Sequence, residues 1–361
     1  MTRGLVAVVL LCVSVAAAAC PICLGAGQPS KAQELASAQQ AVLAVPTAHA
    51  GRFRVVEVIH GDRPSSNTVE GGYPRAGPAA DATAPKGKAL LLVRTDPFPA
   101  WVILGAIGAE QSGWLRKLAA GKRFEDRAAA DWQASVALGL PYLEHAEPLA
   151  AELAYGELAA APYSAMRTGK PQLDARLIRA WLADPKLAAR QRLYLLLLGL
   201  AGNKGDATAL DQRVEAAWRS GDATNLASML AADLELRGVA RMPWIEERYL
   251  RDRSRSAPEI SAALLALSVH GNAVGVIPRE RVIQSYRVFM KAHPEIAGYV
   301  AQDLAAWQYW DAVPEYVALM KSDVRQQFPS RVATLAYLRQ SPSAEGRELA
   351  LQTNALPGTY R

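Results

Sequence analysis

The stretch ADPKLAARQRLYLLLLGLAGN, residues 183–203, decides the fold. Asp184 and Pro185 mark a turn, because the carboxylate can cap a helix and proline fits only a first helical turn. Leu187, Leu193, Tyr194, Leu197 and Leu198 then recur at helical spacing and form one apolar stripe. Leu195, Leu196 and Leu200 fill the other faces, so the pattern predicts a central helix with neighbours all round. Gly202 and Asn203 end it.

Similar windows run outward from this one. Leu173, Leu177, Ile178, Trp181 and Leu182 precede it; Leu210, Val214 and Trp218, then Leu226, Met229, Leu230 and Leu234, follow. Pro243 can open the next helix, with Trp244, Ile245 and Tyr249. Later stripes are Ile260, Leu264 and Leu267; Val282, Ile283, Tyr286 and Met290; Ile296, Val300 and Leu304; Tyr316, Val317 and Met320; and Val332, Leu335 and Leu338. Pairs of helices at a period of roughly 35–45 residues predict an α-solenoid of helical hairpins. With its Asp-Pro turn, Arg190 in the second helix and Gly-Asn end, 183–203 resembles a HEAT repeat. Self-similarity between units is low, so the expectation is an irregular HEAT-like array over 149–355, after a connecting helical segment over 119–148 and before a tail at 356–361.

Before residue 119 the pattern changes. Residues 41–45, 52–59, 89–94 and 100–107 read as short strands rich in Val, Ile and Leu. Alternation breaks at Val55-Val56, as at a bulge or in a strand buried on both faces. Residues 61–88 hold five Gly and four Pro and read as one long loop. Residues 20–118 are therefore expected to form a small β barrel. An exported Cys-containing start followed by FRVVEVIHGD at 53–62 resembles the OB-type barrel of netrin-like domains. His60 stands where those domains usually have Lys, and their distant cysteine partners are missing. The resemblance implies a binding module. The fold class is mainly α, with an N-terminal OB/netrin-like barrel followed by the helical array.

Residues 1–19 read as an export signal: Arg3, an apolar run over 5–15, then four alanines. Cys12 lies inside the signal, which leaves Cys20 and Cys23 in the mature chain. Four uses remain open for this Cys-Pro-x-Cys. They are a local disulfide, lipidation of Cys20 after a lipobox-like Ala-Ala-Ala, thiol exchange, and a metal site shared between two chains. Gly25, Gly27 and Pro29 follow at once, which departs from the helix that thiol exchange needs. With this start, YLEHAEPLAAELAYGELAAAPYSAMR at 142–167 resembles a group of exported bacterial proteins of unknown function, and that implies architecture only.

The chemistry-bearing motifs are sparse. Five histidines, His49, His60, His145, His270 and His293, never sit three or four residues apart, and no P-loop or Gly-x-Ser-x-Gly elbow occurs. Glu144, His145 and Glu147 fall at an expected helix start, where glutamates suit capping and the helix dipole. Asp303, Trp307, Tyr309 and Trp310 form the densest acid-aromatic cluster and are the candidate ligand-facing residues, although such spacing also suits a core. A net charge of +6 is spread along the chain, and Arg248, Arg251, Arg253 and Arg255 read as a solvated helix end, so no nucleic-acid partner is expected. The expectation is an exported, periplasmic or envelope-anchored, non-catalytic interaction protein. It needs no cofactor, takes a protein or peptide partner, and touches membrane only through an N-terminal lipid. An envelope thiol-disulfide protein and a lipid-anchored structural lipoprotein, both using Cys20 and Cys23, are the rivals.

Overall fold

A computed structural model describes residues 22–23, 29–74, 84–95, 100–273 and 275–354. The expected signal, Cys20 and the 356–361 tail lie outside the described residues. The first helix, α1 (Lys31–Ala36), has a reciprocal cap: Gln33 N–H donates to Ser30 Oγ at 3.2 Å and Ser30 N–H to Gln33 Oε1 at 2.8 Å.

Five strands follow: β1 (Gln40–Pro46), β2 (Arg52–His60), β3 (Thr68–Pro74), β4 (Lys88–Arg94) and β5 (Trp101–Gly108). They close into a barrel in the order β1-β2-β3-β5-β4, with only β3 and β5 parallel. This is a five-stranded OB-type closure. In β2, Glu57 faces Leu43 and Val55 faces Ala44, so Val56 is the extra residue of a bulge. The bulge accounts for the broken alternation at Val55-Val56.

The 61–88 stretch is not one long loop, because β3 lies inside it. Gly71 and Gly72 erase the strand signal there. Gly71 has φ +127°, a conformation that side-chain-bearing residues avoid, and passes close to the Trp101 backbone.

Val42, Ala44, Phe53, Val55, Leu90, Leu92, Trp101 and Ile103 fill one side of the sheet. On the other side, Leu43, Leu91, Leu104 and Ile107 meet α1 and two further helices, α2 (Ser112–Ala119) and, beyond α3 (Ala129–Gly139), α4 (Pro148–Ala160). Strands β1 and β4 are therefore buried on both faces. Helix α4 serves two cores. Leu149, Ala150, Leu153 and Ala154 pack with the barrel, whereas Leu158, Ala159 and Ala160 pack with the helices beyond. The glutamate expected to cap α4 has a different role. Glu147 makes no side-chain cap; it accepts from Lys88 Nζ at 2.8 Å and from the Gly108 N–H at 3.3 Å, which ties the helix to β4 and β5.

The remaining helices are α5 (Tyr163–Thr168), α6 (Ala175–Ala183), α7 (Gln191–Ala201), α8 (Lys204–Ser220), α9 (Leu226–Arg237), α10 (Met242–Ile245), α11 (Ala257–Ala273), α12 (Arg279–Ala292), α13 (Ala301–Ala306), α14 (Val313–Lys321), α15 (Phe328–Gln340) and α16 (Ala344–Asn354). Helices α7, α9 and α11 form a central row, with α6, α8 and α12 packed on them. Every residue of α7 from Leu193 to Leu200 is buried, as its all-round leucines require. Arg190 lies in the 3₁₀ turn Pro185–Arg190, before α7 and not inside it, because Asp184 accepts from the Lys186 N–H at 2.8 Å and starts a separate turn. Two expected core positions lie outside: Leu177 is 54% and Val332 49% exposed. The stripes there are narrower than the apolar letters suggest. Ile178 is buried on α6, and Leu335 and Leu338 are buried on α15.

Helix α9 is also buried all round, and its two carboxylates point opposite ways. Asp233 pairs with Arg237 at 2.7 Å and Arg241 at 2.6 Å, and Arg241 also reaches Asp211 on α8 at 2.7 Å. Glu235, two residues on, instead takes Arg167 Nη1 from α5 at 2.5 Å and Tyr163 OH at 3.3 Å. Helix α5 thus covers the face of the row turned away from α8.

Candidate functional site

Asp303 and Trp307 lie one helical turn apart, at the start and end of α13, and share a face. Tyr309 and Trp310 do not share it. After α13 the chain reverses at Gln308, which has φ +55°. The Gln308 N–H donates to the Ala305 carbonyl and the Tyr309 N–H to the Leu304 carbonyl, each at 2.9 Å. This is a Schellman-type end. The reversal sends Tyr309 and Trp310 to α15, where Tyr337 OH donates to the Tyr309 carbonyl at 2.5 Å and the Trp310 and Tyr337 rings are 5.1 Å apart. The four residues are all half-buried but form two pairs with different neighbours.

The Asp303 pair is completed by residues that spacing alone does not reveal. Tyr286 of α12 donates its OH to Asp303 Oδ2 at 2.5 Å and stacks on Trp307 at 5.6 Å. Trp307 Nε1–H donates to Asn272 Oδ1 of α11 at 2.8 Å, and the Arg279 guanidinium lies 5.4 Å from its ring. Burial, and then the Asp303 charge, push the Tyr286 phenol well above its usual value. It therefore stays protonated and acts as a donor. The arrangement clamps α11, α12 and α13 together and leaves a half-buried carboxylate.

Helix α15 has its buried face fixed from the same side. The Gly298 N–H donates to Ser330 Oγ at 2.9 Å, the Gln327 N–H donates to the Glu295 carbonyl at 2.9 Å, and Tyr299 OH donates to Gln327 Oε1 at 3.0 Å. Ser330, Thr334, Tyr337 and Leu338 are buried. Phe328, Val332 and Ala336, at i, i+4 and i+8, are exposed on the opposite face. The sequence signal for this face was the spacing of these three residues, together with Arg331 and Arg339 and no carboxylate on the helix.

The basic stretch is more ordered than a solvated helix end. The Arg248 guanidinium lies 3.9 Å from the Trp218 ring centroid and Arg255 5.0 Å from it, while Arg241 lies 3.6 Å from Trp244. Arg251 and Arg253 remain exposed. Cys23, with Ile22, is buried against the helical core beside Tyr155, whose hydroxyl is pushed up to about 12, first by burial and then by Cys23. Pairing of Cys23 with Cys20 falls outside the described residues.

His270 of α11 is a buried titratable group. Nε2 lies 2.8 Å from the Ala231 carbonyl, so it carries the proton, while Nδ1 is buried near the Tyr163 ring. Burial, with a further push from Arg167, lowers its pKa from 6.5 to about 4. A folded pKa below the unfolded one means that the unfolded chain binds more protons between these values. Stability is therefore expected to fall as pH drops from 6.5 to about 4, by on the order of 3 kcal/mol from this group. Denaturant titrations of wild type and His270→Asn across this range check it. The variant should start less stable and lose less on acidification, and parallel slopes would contradict the assignment.

Among the described residues, no group of three His, Cys, Asp or Glu side chains could hold a metal ion, and no helix is long and apolar enough to cross a membrane. No family model, curated protein or solved structure matches the chain.

Proposed function

We propose that this chain is an exported, non-catalytic interaction protein whose helical array binds a protein or peptide partner. One observation carries the reading: among the described residues, four of the seven exposed large apolar side chains, Val324, Phe328, Val332 and Leu351, fall at the far end of the array. Apolar side chains gathered on one part of a surface point to an interface. The leader-like residues 1–19 support export. Burial of Cys23 favours a structural use of that cysteine over thiol exchange, which needs an accessible thiolate.

A photo-crosslinking residue placed in turn at Val56 of the barrel and at Leu177, Val239, Val332 and Leu351 of the array tests this in a host that exports the chain. Discrete adducts from array positions and none from Val56 are expected. Adducts from Val56 alone would overturn the reading.

A further inference from the structure

We infer that the solvent face of α15 docks an acidic, amphipathic helix of a partner protein; this rests on the proposed interaction function and names the site and the chemistry. Phe328, Val332 and Ala336 line one exposed face over two turns, and Val324, also exposed, lies in the segment that leads into the helix. Such a strip matches the i, i+4, i+7 seam of an amphipathic partner helix. A helix lying in a membrane surface needs a broad apolar face, but here Ser330, Thr334, Tyr337 and Leu338 are committed to the array.

The charge around the strip has one sign. Between residues 321 and 340 there are Lys321, Arg325, Arg331 and Arg339 against the single carboxylate of Asp323. Lys321 is taken by Glu345 at 2.7 Å. Arg325, Arg331 and Arg339 are exposed, and none of them makes an ion pair among the described residues. Many other arginines of the array are matched to carboxylates, as Arg179 is to Asp206 and Arg281 to Glu246; Arg192, Arg213 and Arg219 also lack an ion pair among the described residues, but no exposed large apolar side chain lies on their helices. Three unmatched guanidinium groups beside an apolar strip select carboxylates on the occupant. Residues 1–21 and 355–361 do not supply them, because they contain no Asp or Glu. A second copy would bring another arginine-bearing α15 face to face with this one.

The test uses the full mature chain and a fluorescein-labelled amphipathic peptide with a leucine seam flanked by glutamates. A version with lysines in place of the glutamates, and phosphatidylglycerol vesicles, serve as comparators. Saturable binding of the acidic peptide, about ten-fold or more tighter than the lysine version, is expected, a difference of about 1.4 kcal/mol or more. Val332→Asp should weaken it about ten-fold or more. The triple variant Arg325→Glu, Arg331→Glu, Arg339→Glu should reverse the peptide preference, and Leu177→Asp should change nothing. All these positions are exposed, so unchanged melting temperatures are expected throughout. Equal binding of both peptides, or no effect of the triple variant, would overturn the inference. So would vesicle binding that the triple variant abolishes without any peptide binding. Crosslinks from Leu177 or Val239 without any from Val332 would overturn it while leaving the array as the binding module.

Discussion

Replacing Glu157 with alanine is expected to destabilise the protein by about 3–5 kcal/mol, because it would strand a buried guanidinium. Arg127 and Glu157 are 5% and 1% exposed and meet in two parallel contacts, Nη1 to Oε2 at 2.5 Å and Nη2 to Oε1 at 3.2 Å. The Arg127 Nε–H donates to the Lys122 carbonyl at 2.9 Å, and Ser135 donates its hydroxyl to Glu157. The guanidinium also packs against both the Phe124 and Trp132 rings, 4.2 and 4.7 Å from their centroids. Nearly every donor and acceptor of the pair is thus satisfied away from water, and losing one partner leaves the other charged, buried and unmatched. Arg127→Ala should cost a similar amount. The double variant Arg127→Met, Glu157→Leu should lie much closer to wild type, since the mutual attraction and the desolvation cost largely cancel. Urea unfolding of the four proteins measures this as a double-mutant cycle. Single variants within about 1 kcal/mol of wild type would mean that the pair is not closed from solvent.

Gly298→Ala is expected to cost about 3 kcal/mol, the upper end for an overpacked site. A methyl group there would overlap the Ser330 carbonyl oxygen and come within 2.8 Å of Thr334 Oγ1. The obstacle is backbone, so relief requires the segment Pro294–Val300 and α15 to separate. Separation would also break the bond from the Gly298 N–H to Ser330 Oγ. The loss should appear as a lower denaturation midpoint and as faster amide exchange in 328–340 than in α7. A midpoint equal to that of wild type would show that the two elements are not in contact.

Both sites explain what the sequence could and could not disclose. Local periodicity located the strands at 40–46, 52–60, 88–94 and 101–108 and the all-round burial of α7, because each is a property of neighbouring letters. Strand β3 was hidden because Gly71 and Gly72 carry no side chain to alternate, and its pairing is set by β2 and β5. Arg127 and Glu157 are thirty residues apart, Gly298 and Ser330 thirty-two; nothing local marks either pairing. The Asp303-Trp307 pair could be read from i, i+4 spacing, but its phenol donor, Tyr286, comes from another helix. Val332 has the apolar spacing of Leu335 and Leu338 in the sequence, yet at 100° per residue it lies 60° and 120° from them, far enough round to face solvent.

The deciding question is which face of the array takes a partner: the outer face of α15, or the central row that α5 already covers through Arg167, Glu235 and Tyr163. Amide hydrogen exchange of the full mature chain, with and without saturating acidic peptide, separates the two. Slowed exchange confined to residues 325–340, with α5, α9 and α11 unchanged, is the expected result. Altered exchange in α5 and the facing parts of α9 and α11, with none in 325–340, would contradict it and place binding on the central row.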